Sequence, residues 1–171
     1  DVCRRALEQS DMVLISGGSS MGTRDLTVQV LSTLPDTVVL VHGISIRPGK
    51  PTILARAGDK PFWGLPGQVT SAMVAFAAVV RPFVDRLAGR AYHRRETLKR
   101  VARLTRNISS VQGRIDYVRV RLEKKHDGLW AAPSLGKSGL LNTMVQAAGL
   151  VAIGMTVEGL EKGDPAEVIP I

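Results

Sequence analysis

The chain has 171 residues, of which 44% are hydrophobic, so it is long enough for one ordinary domain or for a compact domain with a small second one. No apolar run reaches the roughly 18 residues that a membrane-spanning helix needs, so we expect no membrane partner. The single cysteine, Cys3, excludes an intrachain disulfide and fits a reducing cytoplasm, which is the localisation that we expect.

The formal net charge of +8 is concentrated in one stretch of the chain. Between Arg90 and Arg106 there are seven Lys or Arg residues and one acid, Glu96, which leaves only +2 for the remainder. A nucleic-acid surface would be expected to carry interleaved aromatic residues, and Tyr92 is the only Phe, Tyr or Trp residue in this stretch. We therefore interpret it as a solvated connector with long side chains and predict no nucleic-acid partner.

The first half of the chain alternates predicted helices and strands. Continuous apolar runs bounded by polar residues predict strands that are buried on both faces, and apolar residues at spacings of three and four predict helices. The predicted elements are helices over 2–9, 23–34 and 69–87, buried strands over 12–15 and 38–41, and short extended runs over 52–57 and 61–65. This order predicts a parallel or mixed sheet covered by helices, with ligands beyond the C-terminal ends of the strands.

Three loops of this half carry features that favour an anion. The Gly/Ser loop, residues 16–22, lies between a strand and a helix and can cradle a phosphate, although a plain turn fits the pattern as well. The RPGKP bend places Arg47 and Lys50 three residues apart on a backbone that prolines restrain; a solvated turn is the alternative. The GLPG turn, residues 64–67, opens a helix whose first N–H groups can point at a negative group.

After the basic stretch the pattern changes to short strands separated by glycine-rich turns. Alternation of apolar and charged residues predicts a half-buried strand over 113–123, and further strands are predicted over 129–132, 150–153 and 168–171. One helical interruption is predicted over 140–148. This succession predicts a small barrel or sandwich.

Few residues point to covalent catalysis. The serines have no His and Asp partners in a nucleophile motif, and the three histidines lie in different elements. Asp25 stands in the first turn of a predicted helix, where a helix-capping acid and an oxygen ligand for Mg²⁺ are equally good interpretations. Arg119 lies on the predicted strand over 113–123, and its pattern alone favours an outward, solvated side chain.

The succession SGGSSMGTRD, RPGKPT, GLPG and TSA resembles the molybdopterin molybdotransferase family, of the MoeA and gephyrin E-domain type. The resemblance runs from about Asp11 to the C-terminus and implies a C-terminal fragment, because members have further N-terminal domains. The implied fold is α/β, with a partial three-layer α/β/α pterin-binding domain over 1–89, a basic linker over 90–96 and a small β-barrel-like domain over 97–171.

The resemblance also implies a reaction, in which molybdate is inserted into adenylylated molybdopterin with Mg²⁺ and AMP is released. Partners would be the pterin, the oxyanion and a second copy in a homodimer, and the fragment alone is expected to be inactive. A non-catalytic dimeric scaffold of the gephyrin type is the alternative. The implied site residues are Asp25 and Lys50 as catalytic residues, Asp25 as metal ligand, and Ser16, Gly17, Gly18, Ser20, Arg47, Lys50, Pro51, Gly67, Ser71, Arg119 and Ser138 as anion-binding residues.

Two departures from the family pattern bear on these residues. Gln68 and Val69 stand where the family turn often has Asn and Pro, which predicts a looser start of the following helix. Leu140 stands where some members have Ser, which leaves Ser138 as the nearby hydroxyl.

Overall fold

The computed structural model describes residues 2–18, 26–90, 99–134 and 144–171. The chain divides into two compact units. The first unit comprises Asp1–Ile44 and Gly49–Val80, and the second comprises Ser45–Pro48 and Arg81–Ile171.

The first unit contains a four-stranded mixed sheet, in which the strands lie in the order β1 (Val13–Ser16), β5 (Lys60–Leu65), β4 (Ile53–Ala57) and β2 (Thr37–His42). Strand β1 runs parallel to β5, and the other neighbours are antiparallel. The elements described in this unit are α1 (Val2–Gln9), β1 (Val13–Ser16), α2 (Leu26–Ser32), β2 (Thr37–His42), β4 (Ile53–Ala57), β5 (Lys60–Leu65), α3 (Val69–Ala75) and a π-helical turn (Phe76–Val80). The predicted mixed sheet is thus confirmed.

Helices α1 and α2 pack on one face of this sheet. Buried Ile53 and Phe62 belong to the same apolar cluster as Leu31, which has no exposed surface. The remaining members are Val13, Leu34 and Ala55, with Cys3, Ala6, Leu7, Ile15 and Val28 packed at its margin. Because side chains alternate along a strand, Trp63 and Leu65 point to the face of β5 opposite to Phe62. Strand β5 also contacts α3.

The prediction that residues 38–41 form a strand buried on both faces is wrong. These residues lie in β2, which pairs only with β4 among the described strands and whose residues are exposed or half-buried. Val38, Val39 and Leu40 are among the exposed large hydrophobic residues. A continuous apolar run indicates a strand, but it does not show how many neighbours cover that strand.

The long predicted helix over 69–87 is interrupted at its middle. Helix α3 is followed by the π-helical turn and then by α4 (Arg81–Leu87), which belongs to the second unit. Pro82 has no N–H to donate to the preceding turn and its ring crowds the carbonyl four residues earlier, which explains a change of helical geometry just before it. None of the helices in the described ranges is both long and apolar enough to cross a membrane.

The second unit contains a closed five-stranded barrel, in the order β10-β12-β6-β9-β8 with β10 pairing back onto β8. A two-residue strand, β3, adds to β8 in parallel, and β7 pairs with β11. The strands are β3 (Ile46–Arg47), β6 (Arg100–Leu104), β7 (Ile108–Ser109), β8 (Ile115–Lys125), β9 (Gly128–Pro133), β10 (Gly149–Ile153), β11 (Gly159–Leu160) and β12 (Pro165–Pro170). Its core contains Leu104, Ile108, Val120, Val151, Ile153 and Val168.

The predicted fold class, an α/β domain followed by a small β-barrel, is confirmed. Strand β8 lies close to the range that alternation predicts, β9 and β10 lie close to the predicted short strands, and β12 overlaps the predicted range 168–171 only in part. The sequence pattern does not predict strand β6, because its arginines belong to the stretch that is interpreted as a solvated connector. Most of the helix predicted over 140–148 lies outside the described residues.

Candidate anion-binding site

Three predicted loops lie at one end of the four-stranded sheet. The C-terminal residue of β1, Ser16, is opposite Leu65 near the end of β5, and Gly64 is opposite Ile53 at the start of β4. Ile53 in turn is opposite His42 at the end of β2. The Gly/Ser loop, the GLPG turn and the RPGKP bend therefore start or end at the same end of the sheet. Ser16 and Thr52 are about 10 Å apart, because two strand spacings separate them.

The Gly/Ser loop and the GLPG turn contact each other closely through two glycines. A Cβ atom added at Gly67 would lie 3.2 Å from Cα of Gly17, so a side chain there would crowd the neighbouring backbone. Gly17 and Gly18 both have positive φ angles, 96° and 73°, which side chains disfavour. The N–H of Gly17 donates to the carbonyl of Leu65 (3.2 Å), so this donor already has a partner within the protein.

The start of α3 is held by Gln68, which is its N-cap residue. The Gln68 side-chain oxygen accepts from the backbone N–H of Ser71 (3.0 Å) and from the hydroxyl of Thr70 (2.9 Å). It also accepts from the hydroxyl of Ser71. The predicted loosening of this helix start is therefore wrong, because Gln provides the cap that Asn would provide. Ser71 is buried and donates to Gln68, so it would have to exchange this partner to bind an anion.

Lys50 and Pro51 lie in the connection between β2 and β4, after the short strand β3. The N–H of Gly43 donates to the carbonyl of Thr52 and the N–H of Ile44 to the carbonyl of Lys50, each at 2.9 Å. The hydroxyl of Thr52 donates to the carbonyl of Gly49 (2.7 Å), which closes the turn. Lys50 is exposed, so its ammonium group is on a backbone that several hydrogen bonds hold.

Arg47 belongs to the second unit, where it pairs with an acid that the sequence did not indicate. One terminal nitrogen of Arg47 lies 3.7 Å from a carboxylate oxygen of Asp116. The Nε of Arg114 donates to the other oxygen of Asp116 at 2.7 Å. The three residues therefore form a cluster with one buried carboxylate and two guanidinium groups, which carries a net positive charge.

Arg119 lies further along β8 and is buried. Val118 and Val120 contribute to the barrel core, so alternation directs Arg119 to the opposite face, where its residue is 8% exposed. Desolvation by burial lowers the pKa of the Arg119 guanidinium from its ordinary value, but an arginine remains charged at neutral pH. Arg119 thus faces away from the barrel core, as its pattern predicts, but the expectation that it is solvated is wrong. Its role in anion binding stays a prediction.

Three predicted site residues, Ser20, Asp25 and Ser138, lie outside the described residues. Within the described ranges, no group of three or more His, Cys, Asp or Glu residues could hold a metal ion. The Mg²⁺ prediction therefore depends on Asp25 and on the resemblance, and no described side chain adds to it.

Two family models together match almost the whole length of the chain. The model described as a probable molybdopterin binding domain matches residues 1–86, and the model described as the MoeA C-terminal region, domain IV, matches residues 101–171. Both matches follow the order in which the two folds occur along the chain.

Individual relatives show the same similarity. A Methanocaldococcus jannaschii protein named for molybdopterin biosynthesis is 34% identical over 96% of this chain and 37% of its own length. A molybdopterin molybdenumtransferase of Haemophilus influenzae is 31% identical over 89% of this chain and 40% of its own length. The crystal structure of a molybdopterin biosynthesis MoeA protein from Pyrococcus horikoshii is 39% identical, with a TM-score of 0.79 over 99% of this chain and 39% of that one. The chain thus spans about two fifths of the length of these relatives.

Proposed function

This chain belongs to the MoeA-type family of molybdenum cofactor biosynthesis proteins, and we propose that it contributes to the insertion of molybdate into adenylylated molybdopterin, with release of AMP. The observation that supports this proposal most strongly is the meeting of the Gly/Ser loop, the GLPG turn and the RPGKP bend at one end of the four-stranded sheet. Loops at the carboxyl ends of strands are where α/β sheets bind ligands.

The proposed reaction requires two anions, the oxyanion and the phosphorylated pterin, to come together despite their mutual repulsion. Catalysis of this kind depends on positioning and on fixed positive charge more than on covalent chemistry. In the first unit, Lys50 supplies a cation on a hydrogen-bonded turn, and Ser16 supplies a hydroxyl at the end of β1. In the second unit, Arg47 and Arg119 carry the guanidinium groups that we propose for anion binding. Alternation along β8 places Arg119 on the face opposite to Asp116, the partner of Arg47.

The glycines of the site have a different role in this proposal. Gly17 and Gly67 let two loops approach to within van der Waals contact, and Gly18 has the positive φ angle that the turn requires. Pro51 restrains the backbone next to Lys50. The loops are therefore held in place before a ligand arrives, which lowers the entropy lost on binding.

We propose Mg²⁺ as the metal of the reaction and Asp25 as its ligand, by resemblance. When bound, a magnesium ion would share its charge with phosphate oxygens of the substrate. Ser20 and Ser138 complete the proposed set of anion-binding residues. The homodimer, the cytoplasmic localisation and the lack of a nucleic-acid partner are proposed on the same grounds.

The activity itself is proposed for the full-length protein, and this chain alone is expected to be inactive. The scaffold alternative has no support of its own, since the two relatives described above are named for biosynthesis or transfer activity.

Replacement of Lys50 by alanine in the full-length protein tests this proposal. We expect Lys50→Ala to weaken molybdate binding by about 1.5–3 kcal/mol, because it removes a charge-assisted contact to the anion. Isothermal titration calorimetry with molybdate and with tungstate measures the change.

Lys162→Ala is the matched control. It removes an exposed lysine from the second unit and lowers the net charge by the same amount, so a non-specific charge effect would appear in both variants. Equal molybdate affinities in Lys50→Ala and the wild type would move the anion site away from the RPGKP bend.

A further inference from the structure

Asp116 has a buried carboxylate and is not among the predicted site residues. Its residue is 5% exposed, and its two oxygens face the guanidinium groups of Arg114 and Arg47. A second nitrogen of Arg114 lies 3.4 Å from the oxygen that Arg47 approaches. A buried carboxylate is costly unless it is paired, so this arrangement satisfies Asp116 and at the same time holds both arginines.

The backbone places these three residues together. Strand β3 pairs in parallel with β8 so that Arg47 is the direct neighbour of Asp116, and the N–H of Ile115 donates to the carbonyl of Ser45 (2.9 Å) next to this pair. Neighbours across a ladder direct their side chains to the same face of the sheet. The position of Asp116 relative to Arg47 is therefore determined by main-chain hydrogen bonds and not by the side chains alone.

We propose that Asp116 is a positioning residue, which orients the guanidinium of Arg47, with Arg114 beside it, toward the oxyanion substrate. The inference rests on the proposed function, because Arg47 is an anion-binding residue only in that proposal. Arg47 has an exposed side chain, 65% of its surface being accessible, and a long flexible arginine loses considerable rotamer freedom when it binds a ligand. An ion pair that restricts the side chain beforehand reduces this cost.

The direction in which Asp116→Asn changes the affinity for an anion distinguishes a positioning role from a purely electrostatic one. Asp116→Asn removes a negative charge next to two arginines, so a purely electrostatic role predicts tighter binding of an anion. A positioning role predicts weaker binding, because Arg47 is no longer held. A role in stability alone predicts a lower melting temperature with no dependence on Arg47.

The test is a double-mutant cycle in the full-length protein with Asp116→Asn and Arg47→Ala, titrated with molybdate. We expect Asp116→Asn to raise the dissociation constant about tenfold, since contacts to charged groups are worth at least one decade in affinity. In the Arg47→Ala background the same substitution should change it by less than about twofold, because coupled residues lose their effect together. Glu167→Gln is the control, since it breaks an exposed ion pair with Lys99 in the same unit.

The rate at which Arg47 is chemically labelled in the absence of substrate provides a second measurement. Phenylglyoxal reacts with the guanidinium group of arginine, and mass spectrometry gives the rate at each site, which rises when the side chain is no longer held by an ion pair. Asp116→Asn should raise the rate at Arg47 by up to about fivefold, the range of a partly exposed ion pair, and leave exposed Arg56 of the first unit unchanged.

The outcomes distinguish the inference from the function on which it rests. Weaker binding that vanishes in the Arg47→Ala background, with faster labelling of Arg47, supports the positioning role. Unchanged or tighter binding in Asp116→Asn overturns the positioning role and leaves the proposed function standing. A wild-type protein that binds no molybdate overturns both.

Discussion

The two units of the chain differ in whether their sheets have edge strands. In the barrel, β10 pairs with both β12 and β8, so that five strands form a closed ring, and β8 pairs in addition with the short strand β3. In the four-stranded sheet, β1 and β2 each pair with one neighbour among the described residues. A closed sheet satisfies its own main-chain hydrogen bonds, whereas an open sheet leaves groups that water or another chain must satisfy.

The difference shows where stability and function are expected to be located. The barrel core consists of side chains with almost no exposed surface. The open sheet exposes Val38, Val39 and Leu40 on β2, while the loops at one of its ends contain most of the proposed anion-binding residues that the structure describes. The structure therefore predicts large stability effects in the barrel core and smaller ones, with changes in association, at the sheet edge.

The largest effect is expected when the barrel core is opened. Leu104 has no exposed surface, so Leu104→Ala should lower the free energy of unfolding by about 2–5 kcal/mol through lost burial and a residual cavity. Denaturant unfolding in a Trp63→Phe background, which leaves Trp130 of the barrel as the only tryptophan, measures this loss. Val101→Ala is the control, because Val101 lies on the same strand and is 64% exposed. Similar losses in the two variants would contradict the assignment of this core.

A smaller effect is expected at a glycine that lets two barrel strands pair. A Cβ atom at Gly149 would lie 2.5 Å from the carbonyl oxygen of Ile169, and a backbone atom cannot move aside as a flexible side chain can. Gly149→Ala should therefore destabilise the barrel by about 1–3 kcal/mol, as overpacking does. At Gly154, by contrast, an added Cβ atom would meet nothing within 4 Å, and Gly154→Ala should leave the unfolding midpoint nearly unchanged. Equal midpoints for both variants would show that the β10–β12 pairing can relax.

The smallest change in stability is expected at the open edge, where association should respond instead. Leu40 is 57% exposed on β2, so Leu40→Lys should change the free energy of unfolding by less than about 0.5 kcal/mol. Because a lysine on an edge strand opposes pairing with a second chain, the variant should self-associate less than the wild type, as measured by light scattering of this chain. Val145→Lys adds the same charge at an apolar residue that is 75% exposed in the second unit. An equal reduction by Val145→Lys would attribute the effect to net charge.

Local patterns in the sequence predicted much of the fold, while the anion-binding character of the site stays a prediction. Period-two alternation identified β8, and glycines indicated the turns at Gly154 and Gly163, whereas Gly149 and Gly159 lie within strands β10 and β11. The same approach failed for β6, since arginines at its exposed positions looked like a charged linker. It also failed for Arg119, because a charged residue on a strand is usually solvated and nothing local indicates that this one is covered.

The sequence by itself determined the features that depend on neighbouring residues, namely the glycines at tight turns, the prolines of the RPGKP bend and the helix start after the GLPG turn. Only the tertiary structure decided that β2 is an exposed edge, that Gly67 packs against Gly17, and that Asp116 joins Arg47 to Arg114. The physical reason is that backbone preference is set by local sterics and hydrogen bonding, whereas strand register, burial and charge pairing depend on residues that are far apart along the chain.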